Sequence, residues 1–201
     1  MKRVIFSGII IASLALASCQ EAKTESNDKQ EAQTTEAATE EQVKEIKPTF
    51  ANVDTKVSSH VQELVDHYIH VKTALVNGNS NEAKNGAIAI LNVAQGFDKS
   101  LLPADQKPDY DKALTEIENN ARAIANASDL EAQRTTFEGL SERFYDLVKS
   151  FGANKPIYHD HCPMALNDKG AMWLSEIREI RNPYFGDEML ECGTVEEIVK
   201  K

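Results

Sequence analysis

The stretch "DTKVSSHVQELVDHYIHVKTALVNGNS" (residues 54–80) carries the pattern that decides the fold class. Its apolar residues recur at steps of three, four and seven, which places them on one face of an α-helix. They are Val57, Val61, Leu64, Tyr68 and Leu75. Asn77-Gly78-Asn79 follows, and glycine suits the left-handed position that ends a helix. The stretch therefore predicts an amphipathic helix from about Asp54 to Val76.

Similar apolar spacing returns in three later segments and predicts three more helices. Ser80 is predicted to cap the second helix, and Pro108 suits the first turn of the third. Ser128 opens the fourth, with Glu131 three residues later in a capping-box pattern. Four helices of about 20 residues with short links favour an up-down-up-down bundle. We predict an all-α fold: a four-helix bundle followed by a sulfur-rich C-terminal segment of loops and a short helix packed on it.

The first residues resemble a bacterial lipoprotein signal peptide. A positively charged start precedes an apolar stretch, residues 4–16, that is too short to span a bilayer. Leu16-Ala17-Ser18-Cys19 resembles a lipobox, the motif whose cysteine is acylated and becomes the first residue after cleavage. An ordinary secretory signal with a chance cysteine is the alternative. We predict that residues 1–18 form the signal peptide and that acylated Cys19 anchors the protein to membrane lipid.

A tether and one folded domain are predicted after the anchor. Residues 19–48 are acidic and contain no aromatic residue, a composition that favours disorder. Loss of the signal peptide removes two positive charges and changes the formal net charge from −10 to −12, which argues against nucleic acid as a partner. Gln20 stands where aspartate is associated with inner-membrane retention, so we predict the outer membrane, facing the periplasm. The helical-bundle domain is predicted at residues 49–201, with its metal-site segment at 157–195.

That C-terminal segment holds both cysteines other than Cys19, three of the four methionines and the only tryptophan. Cys162 and Met164 are two residues apart, so both point to the same side if the chain is extended there. Met189 and Cys192 are three apart, so one helical turn places them on one face. Two thiolates and two thioethers select Cu(I) and, by the same softness, Ag(I). Zinc is less suited, since its sites do not use methionine.

The residues alone leave alternatives open. His159 and His161 share a side if their segment is extended, and either can replace a methionine or act as an entry ligand. Cys162 and Cys192 can instead form a structural disulfide in an oxidising compartment, with the methionines as core filler. An enzyme is not predicted, because neighbours such as His161 and Cys162 rarely hold the geometry for proton transfer.

The segment "YHDHCPMALNDKGAMWLSEIREIRNPYFGDEMLECG" (residues 158–193) resembles the signature of a domain family of unassigned function from Gram-negative envelopes. That family occurs as free-standing lipoproteins and as a C-terminal extension of periplasmic adaptors from copper/silver-type efflux pumps. The matching motifs are Cys-Pro-Met-Ala at 162–165, Gly-Ala-x-Trp-Leu at 170–174, Asn-Pro-Tyr-Phe-Gly at 182–186 and Met-Leu-x-Cys-Gly at 189–193. The helical part from about Val53, including "AQRTTFEGLSERFYDLV", resembles the family's upstream bundle less specifically.

The resemblance implies heavy-metal handling, and it implies four metal ligands: Cys162, Met164, Met189 and Cys192. The chain lacks the hairpin and barrel regions of an adaptor, so it is not expected to be one. Together, these observations predict an envelope lipoprotein that binds Cu(I) or Ag(I) and sequesters it or passes it to an efflux adaptor or a copper chaperone. The alternative is a structural or interaction lipoprotein with a Cys162–Cys192 disulfide and no metal.

Overall fold

The computed structural model of the protein describes residues 43–200. The predicted signal peptide, acylated Cys19 and the tether as far as residue 42 lie outside the described residues. Among the residues described, no helix is long and apolar enough to cross a membrane.

Four long helices form at the predicted places. They are α1 (Thr55–Val76), α2 (Ser80–Gly96), α3 (Lys107–Asn126) and α4 (Leu130–Phe151). Side-chain oxygens of Asp54, Asn79 and Asp129 accept N–H groups in the first turns of α1, α2 and α4. The fourth helix is therefore capped by Asp129 and not by Ser128, because the aspartate carboxylate accepts the Ala132 N–H at 2.9 Å. Helices adjacent in sequence pack together, and α1 also packs against α4, as in an up-down bundle.

The prediction of an all-α fold is wrong, because three strands of the C-terminal region and one strand before the bundle form a four-stranded sheet. Its strands are β1 (Lys44–Ile46), β2 (Ile157–Cys162), β3 (Ala171–Ser175) and β4 (Thr194–Val199). Their order is β1-β4-β2-β3, with β1 parallel to β4 and β2 antiparallel to both of its neighbours. A short helix, α5 (Ala165–Asp168), lies between β2 and β3. Strand β1 uses residues that the sequence analysis assigned to the tether.

Strand β2 shows why the sheet was missed. Its sequence, Ile-Tyr-His-Asp-His-Cys, is mostly polar, yet four of its six residues are buried. Burial falls on both faces of the strand, so the apolar-polar alternation of a half-buried strand is absent. The helix bundle and the neighbouring strands, and not the local sequence, create this environment.

Two tyrosine hydroxyls join the open edge of β3 to its surroundings. The Tyr68 hydroxyl of α1 accepts the Leu174 N–H at 2.9 Å and is hydrogen-bonded to the Ser141 hydroxyl of α4 at 2.8 Å. The Tyr184 hydroxyl donates to the Met172 carbonyl at 2.6 Å. Buried backbone groups without partners are costly, so these bonds allow the strand edge to lie against the helices.

We expect Tyr68→Phe to lower the free energy of unfolding by about 1–3 kcal/mol, because it leaves the buried Leu174 N–H without an acceptor. Urea unfolding followed by circular dichroism measures the loss. Tyr158→Phe, at a partly exposed tyrosine of β2, is the matched control and should change stability by no more than about 0.5 kcal/mol. Equal losses in the two variants would contradict the assignment.

His60 is a buried polar residue in the first half of α1. Its ring is 8% exposed, stacks on Phe97 with 3.9 Å between centroids, and shares a 2.7 Å hydrogen bond with the Tyr110 hydroxyl. Burial lowers the pKa of His60 from 6.5 to about 4. The neutral imidazole is therefore part of the folded core near neutral pH.

This burial predicts an acid-sensitive core. Between pH 6.5 and 4 the unfolded chain protonates His60 and the folded chain does not, so stability is lost as the pH falls. We expect His60→Gln to shrink the stability difference between pH 7 and pH 4.5 by about 1–3 kcal/mol. His67→Gln, at a partly exposed histidine of the same helix, is the control. An unchanged pH dependence in His60→Gln would exclude this histidine as the cause.

Candidate functional site

Cys162 and Cys192 are joined by a disulfide that connects the end of β2 to the segment before β4. The two residues are 30 apart in sequence, and their Cα atoms lie 5.8 Å apart. The predicted convergence of these two segments is thus present, in the form that the disulfide alternative anticipated. Cys162 is fully buried, whereas Cys192 is only partly buried.

Asn182 holds the segment that contains Cys192 through hydrogen bonds. Its side-chain oxygen accepts the N–H groups of Tyr184 and Phe185 at 2.8 and 3.3 Å, which builds the turn. Its side-chain amide donates to the Cys192 carbonyl at 2.8 Å, and its own N–H donates to the Leu190 carbonyl at 2.8 Å. The side chain is fully buried, so one residue holds both ends of the loop that returns to the disulfide. No pattern in the sequence indicates this role of Asn182, because it depends on the geometry of the turn.

Met164 lies where the chain turns and not in an extended segment. Its backbone is helical (φ −89°, ψ −10°), and its side chain is 47% exposed, while Cys162 is fully buried. The expectation that both side chains share one side of an extended segment is therefore wrong. Proline 163 still interrupts the strand, but the chain bends directly after it.

A left-handed run follows this turn. Leu166, Asn167 and Asp168 all have positive φ angles, of 53°, 60° and 62°. A left-handed conformation costs roughly 1–2 kcal/mol for each residue with a side chain. The run is held by hydrogen bonds from the Asp168 N–H to the Met164 carbonyl (3.3 Å) and from the Gly170 N–H to the Ala165 carbonyl (3.1 Å). Such strain is concentrated at functional sites more often than elsewhere in proteins.

Met189 and Cys192 belong to one turn, although it is not α-helical. Met189 follows a 3₁₀ turn at Gly186–Glu188, and the Cys192 N–H donates to the Met189 carbonyl at 3.1 Å. Both side chains are partly buried. The three-residue spacing therefore keeps this methionine and this cysteine within one turn of the chain.

His159 and His161 lie on one face of β2, as their alternate spacing predicts. Their Nδ1 atoms are 3.6 and 3.3 Å from the two carboxylate oxygens of Glu196. The register of β2 and β4 shifts at this point, which leaves Glu196 as an extra residue between the partners of His159 and Asp160. Such a β-bulge re-aims side chains, and here it turns a carboxylate towards both histidines. Sequence reasoning gave no signal for Glu196, because the bulge depends on strand register.

The two histidines differ in their surroundings. His159 is 9% exposed and stacks on Tyr145, with ring centroids 4.3 Å apart. Burial lowers the pKa of His159, and Glu196 acts against that shift. The His161 side chain is 34% exposed and packs over Gly170, where a Cβ atom would lie 2.8 Å from its Nε2. Only His161 is therefore accessible to a ligand from solvent.

No group of three or more histidine, cysteine, aspartate or glutamate side chains within residues 43–200 is arranged to hold a metal ion. The predicted set of Cys162, Met164, Met189 and Cys192 contains only two residues of those types, and both are bound to each other here.

Asp160 lies on the other face of β2, between the two histidines in sequence. It is fully buried, and neither of its carboxylate oxygens makes a hydrogen bond of normal geometry, although the Trp173 indole N–H lies close enough to lower its pKa slightly. Burial raises the pKa of Asp160 to about 8, against the opposing effect of the Lys72 ammonium group. Lys72 is itself 5% exposed. Like Asn182 and Glu196, these two buried polar residues are not indicated by the sequence, because they are distant from each other in the chain.

Asp160 predicts a loss of stability with rising pH. The unfolded carboxyl ionises near pH 3.9 and the folded one near 8, so the folded state binds more protons in between and stability falls as the pH rises. We expect Asp160→Asn to reduce the fall between pH 5 and pH 8 by at least about 1.4 kcal/mol, measured by urea unfolding. Exposed Asp187→Asn is the control and should keep the wild-type slope. A wild-type slope in Asp160→Asn would show that this carboxyl is not the source.

Comparison with known proteins identifies the bundle but not its role. The model of a family described as "Protein of unknown function (DUF3347)" matches residues 64–156. The match covers most of the helical bundle and ends before β2, so it contains none of the four predicted metal ligands. No match is found among curated proteins or among solved structures.

Proposed function

We propose that this protein is an envelope lipoprotein that binds a soft monovalent metal ion, Cu(I) or Ag(I). The proposed ligands are Cys162, Met164, Met189 and Cys192. One observation carries the proposal: cysteines 30 residues apart are brought to 5.8 Å between Cα atoms, and each has a methionine within three residues. Neutral thioethers complete the ligand shell of a pair of thiolates without adding negative charge, which favours a monovalent soft ion over a hard divalent one.

Binding requires the reduced form. A disulfide offers no thiolate, so a dithiol must first supply two electrons and two protons to Cys162 and Cys192, and is itself oxidised to a disulfide. The thiols then lose their protons when the metal ion binds. The oxidised form described above is thus the form that does not bind, and the redox state of the pair sets the capacity of the protein for metal.

The positions of the methionines favour exchange of the ion with a partner. Met164 is 47% exposed beside the buried Cys162, so a thioether is available at the surface. His161, also partly exposed, precedes Cys162 but lies on the opposite face of β2, towards Glu196. A surface-accessible ligand permits transfer to the site of an efflux adaptor or a copper chaperone, the partner class that the sequence resemblance implies. Anchoring through Cys19 would hold the site in the envelope.

A second candidate function is supported by the disulfide itself. A bridge that closes a 30-residue loop stabilises a fold by roughly 3–4 kcal/mol in the chain-entropy model. If Cys162–Cys192 is only a structural cross-link, the domain is an interaction module of the envelope and the methionines are packing residues. If this is the function, a mild reductant should release no free thiol from the folded protein, and the protein should not bind Cu(I).

Titration with Cu(I) tests the metal-binding proposal. We expect the reduced mature protein to retain one equivalent of Cu(I) against a chromogenic Cu(I) chelator under anaerobic conditions, and the oxidised protein to retain none. Met164→Leu with Met189→Leu should weaken retention at least tenfold, about 1.4 kcal/mol. Met172→Leu, at the methionine of β3 outside the proposed set, is the matched control. Undiminished retention after Cys162→Ser with Cys192→Ser would place the metal elsewhere and end the proposal.

A further inference from the structure

The two cysteines of the disulfide differ in their exposure to solvent. Cys162 is fully buried in the core at the end of β2, opposite Ala171 of β3, which is itself 4% exposed. Cys192 is partly exposed and lies between Glu191 and Gly193, of which the glutamate is exposed. The cross-link therefore joins a buried cysteine, Cys162, to a partly exposed one, Cys192.

In thiol–disulfide exchange, the difference in exposure between the two cysteines decides which sulfur is attacked. The attacking thiolate approaches one sulfur in line with the S–S bond, from the side opposite to the sulfur that leaves. Attack on Cys192 needs an approach from the outer side of the bond. Attack on Cys162 needs an approach through the packed interior, which has few voids large enough for a water molecule, still less for a thiol.

Hydrogen bonds and close packing hold the backbone of Cys192 in place. The Cys192 carbonyl accepts the Asn182 side-chain amide at 2.8 Å, and the Cys192 N–H donates to the Met189 carbonyl at 3.1 Å. On its other side, Gly193 has a φ of 143°, and a Cβ there would lie 2.7 Å from the Trp173 ring. Cys192 is thus fixed before a reductant arrives, so little ordering is required at the moment of attack.

From this geometry we infer that the disulfide is opened from one side only: a partner protein with a pair of thiols attacks Cys192, and Cys162 is the leaving sulfur. In the first step, a partner thiolate forms a bond to Cys192 Sγ, the Cys162–Cys192 bond breaks, and Cys162 leaves as a thiolate. In the second step, the partner's other thiolate attacks the mixed disulfide and releases Cys192. The protein gains two electrons and two protons, and the partner dithiol becomes a disulfide.

The inference rests on the proposed function only for its purpose, since the reduced pair is the form proposed to bind metal. The partner is a dithiol oxidoreductase that acts in the same compartment. Asn182 is also assigned as a positioning residue, because this side chain holds the backbone of the attacked cysteine.

Trapping of the mixed disulfide tests the inference. The probe is a thioredoxin-type dithiol protein whose resolving cysteine is replaced by serine, mixed with the oxidised mature chain. Peptide mass spectrometry then locates the bond, and we expect at least a tenfold excess of adducts on Cys192 over Cys162. Equal adducts, or an excess on Cys162, would overturn the inference.

A second measurement does not depend on the probe protein. It compares two variants that both carry Cys19→Ser, since the chain has a third cysteine. Cys162→Ser then leaves only the Cys192 thiol, Cys192→Ser leaves only the Cys162 thiol, and both are reacted with Ellman's reagent. We expect the Cys192 thiol to react at least tenfold faster in the folded proteins, with the difference lost in guanidinium chloride. Similar rates in the folded variants would contradict one-sided access. Trapping on Cys192 without Cu(I) retention would refute the proposed function alone, and retention with trapping on Cys162 would refute this inference alone.

Discussion

The hydrogen bond between the Tyr68 hydroxyl and the Leu174 amide is the constraint on which the two halves of this domain depend. An edge strand that packs against helices must find partners for its backbone groups, and helices have no free backbone groups to offer along their length. A tyrosine supplies a hydroxyl at the end of a long apolar ring, so it reaches the strand while it fills the core. Ser141 of α4 shares the same hydroxyl, which ties two helices and one strand at a single point.

Strand β2 then separates two kinds of chemistry by the alternation of its side chains. One face carries His159 and His161 towards a carboxylate that a bulge has turned to meet them. The other face carries Asp160 and Cys162 into the core, where one is a carboxyl without hydrogen bonds of normal geometry and the other half of a cross-link. A strand buried on both faces thus places polar groups in sites that solvent reaches unequally, and it holds Cys162 in the core while its partner Cys192 lies outside the strand, partly exposed.

The helices could be read from the sequence because their signal is local: the stripe that includes Tyr68 repeats within one segment, and Asn77-Gly78-Asn79 marks its end. The convergence of Cys162 and Cys192 could also be anticipated, since two spare cysteines in an oxidising compartment suggest a pair. The sheet could not, because β2 gains its burial from α4 and the neighbouring strands and β1 lies more than 140 residues before its partner β4. Glu196 and Asn182 act through register and turn geometry, neither of which leaves a pattern in one sequence.

Strand β1 has a mechanical consequence if the proposed anchor at Cys19 holds the chain at its N-terminal side. It joins the sheet through three residues alongside β4, with Lys44 paired to Glu197 at 2.7 Å and the Lys200 N–H bonded to the Ile46 carbonyl at 3.0 Å. Tension arriving from the residues before Lys44 would load these few contacts ahead of any helix. Strand β1 would then separate from β4 first. The segment between the anchor and the domain would become longer, while the bundle and the cross-linked loop keep their structure.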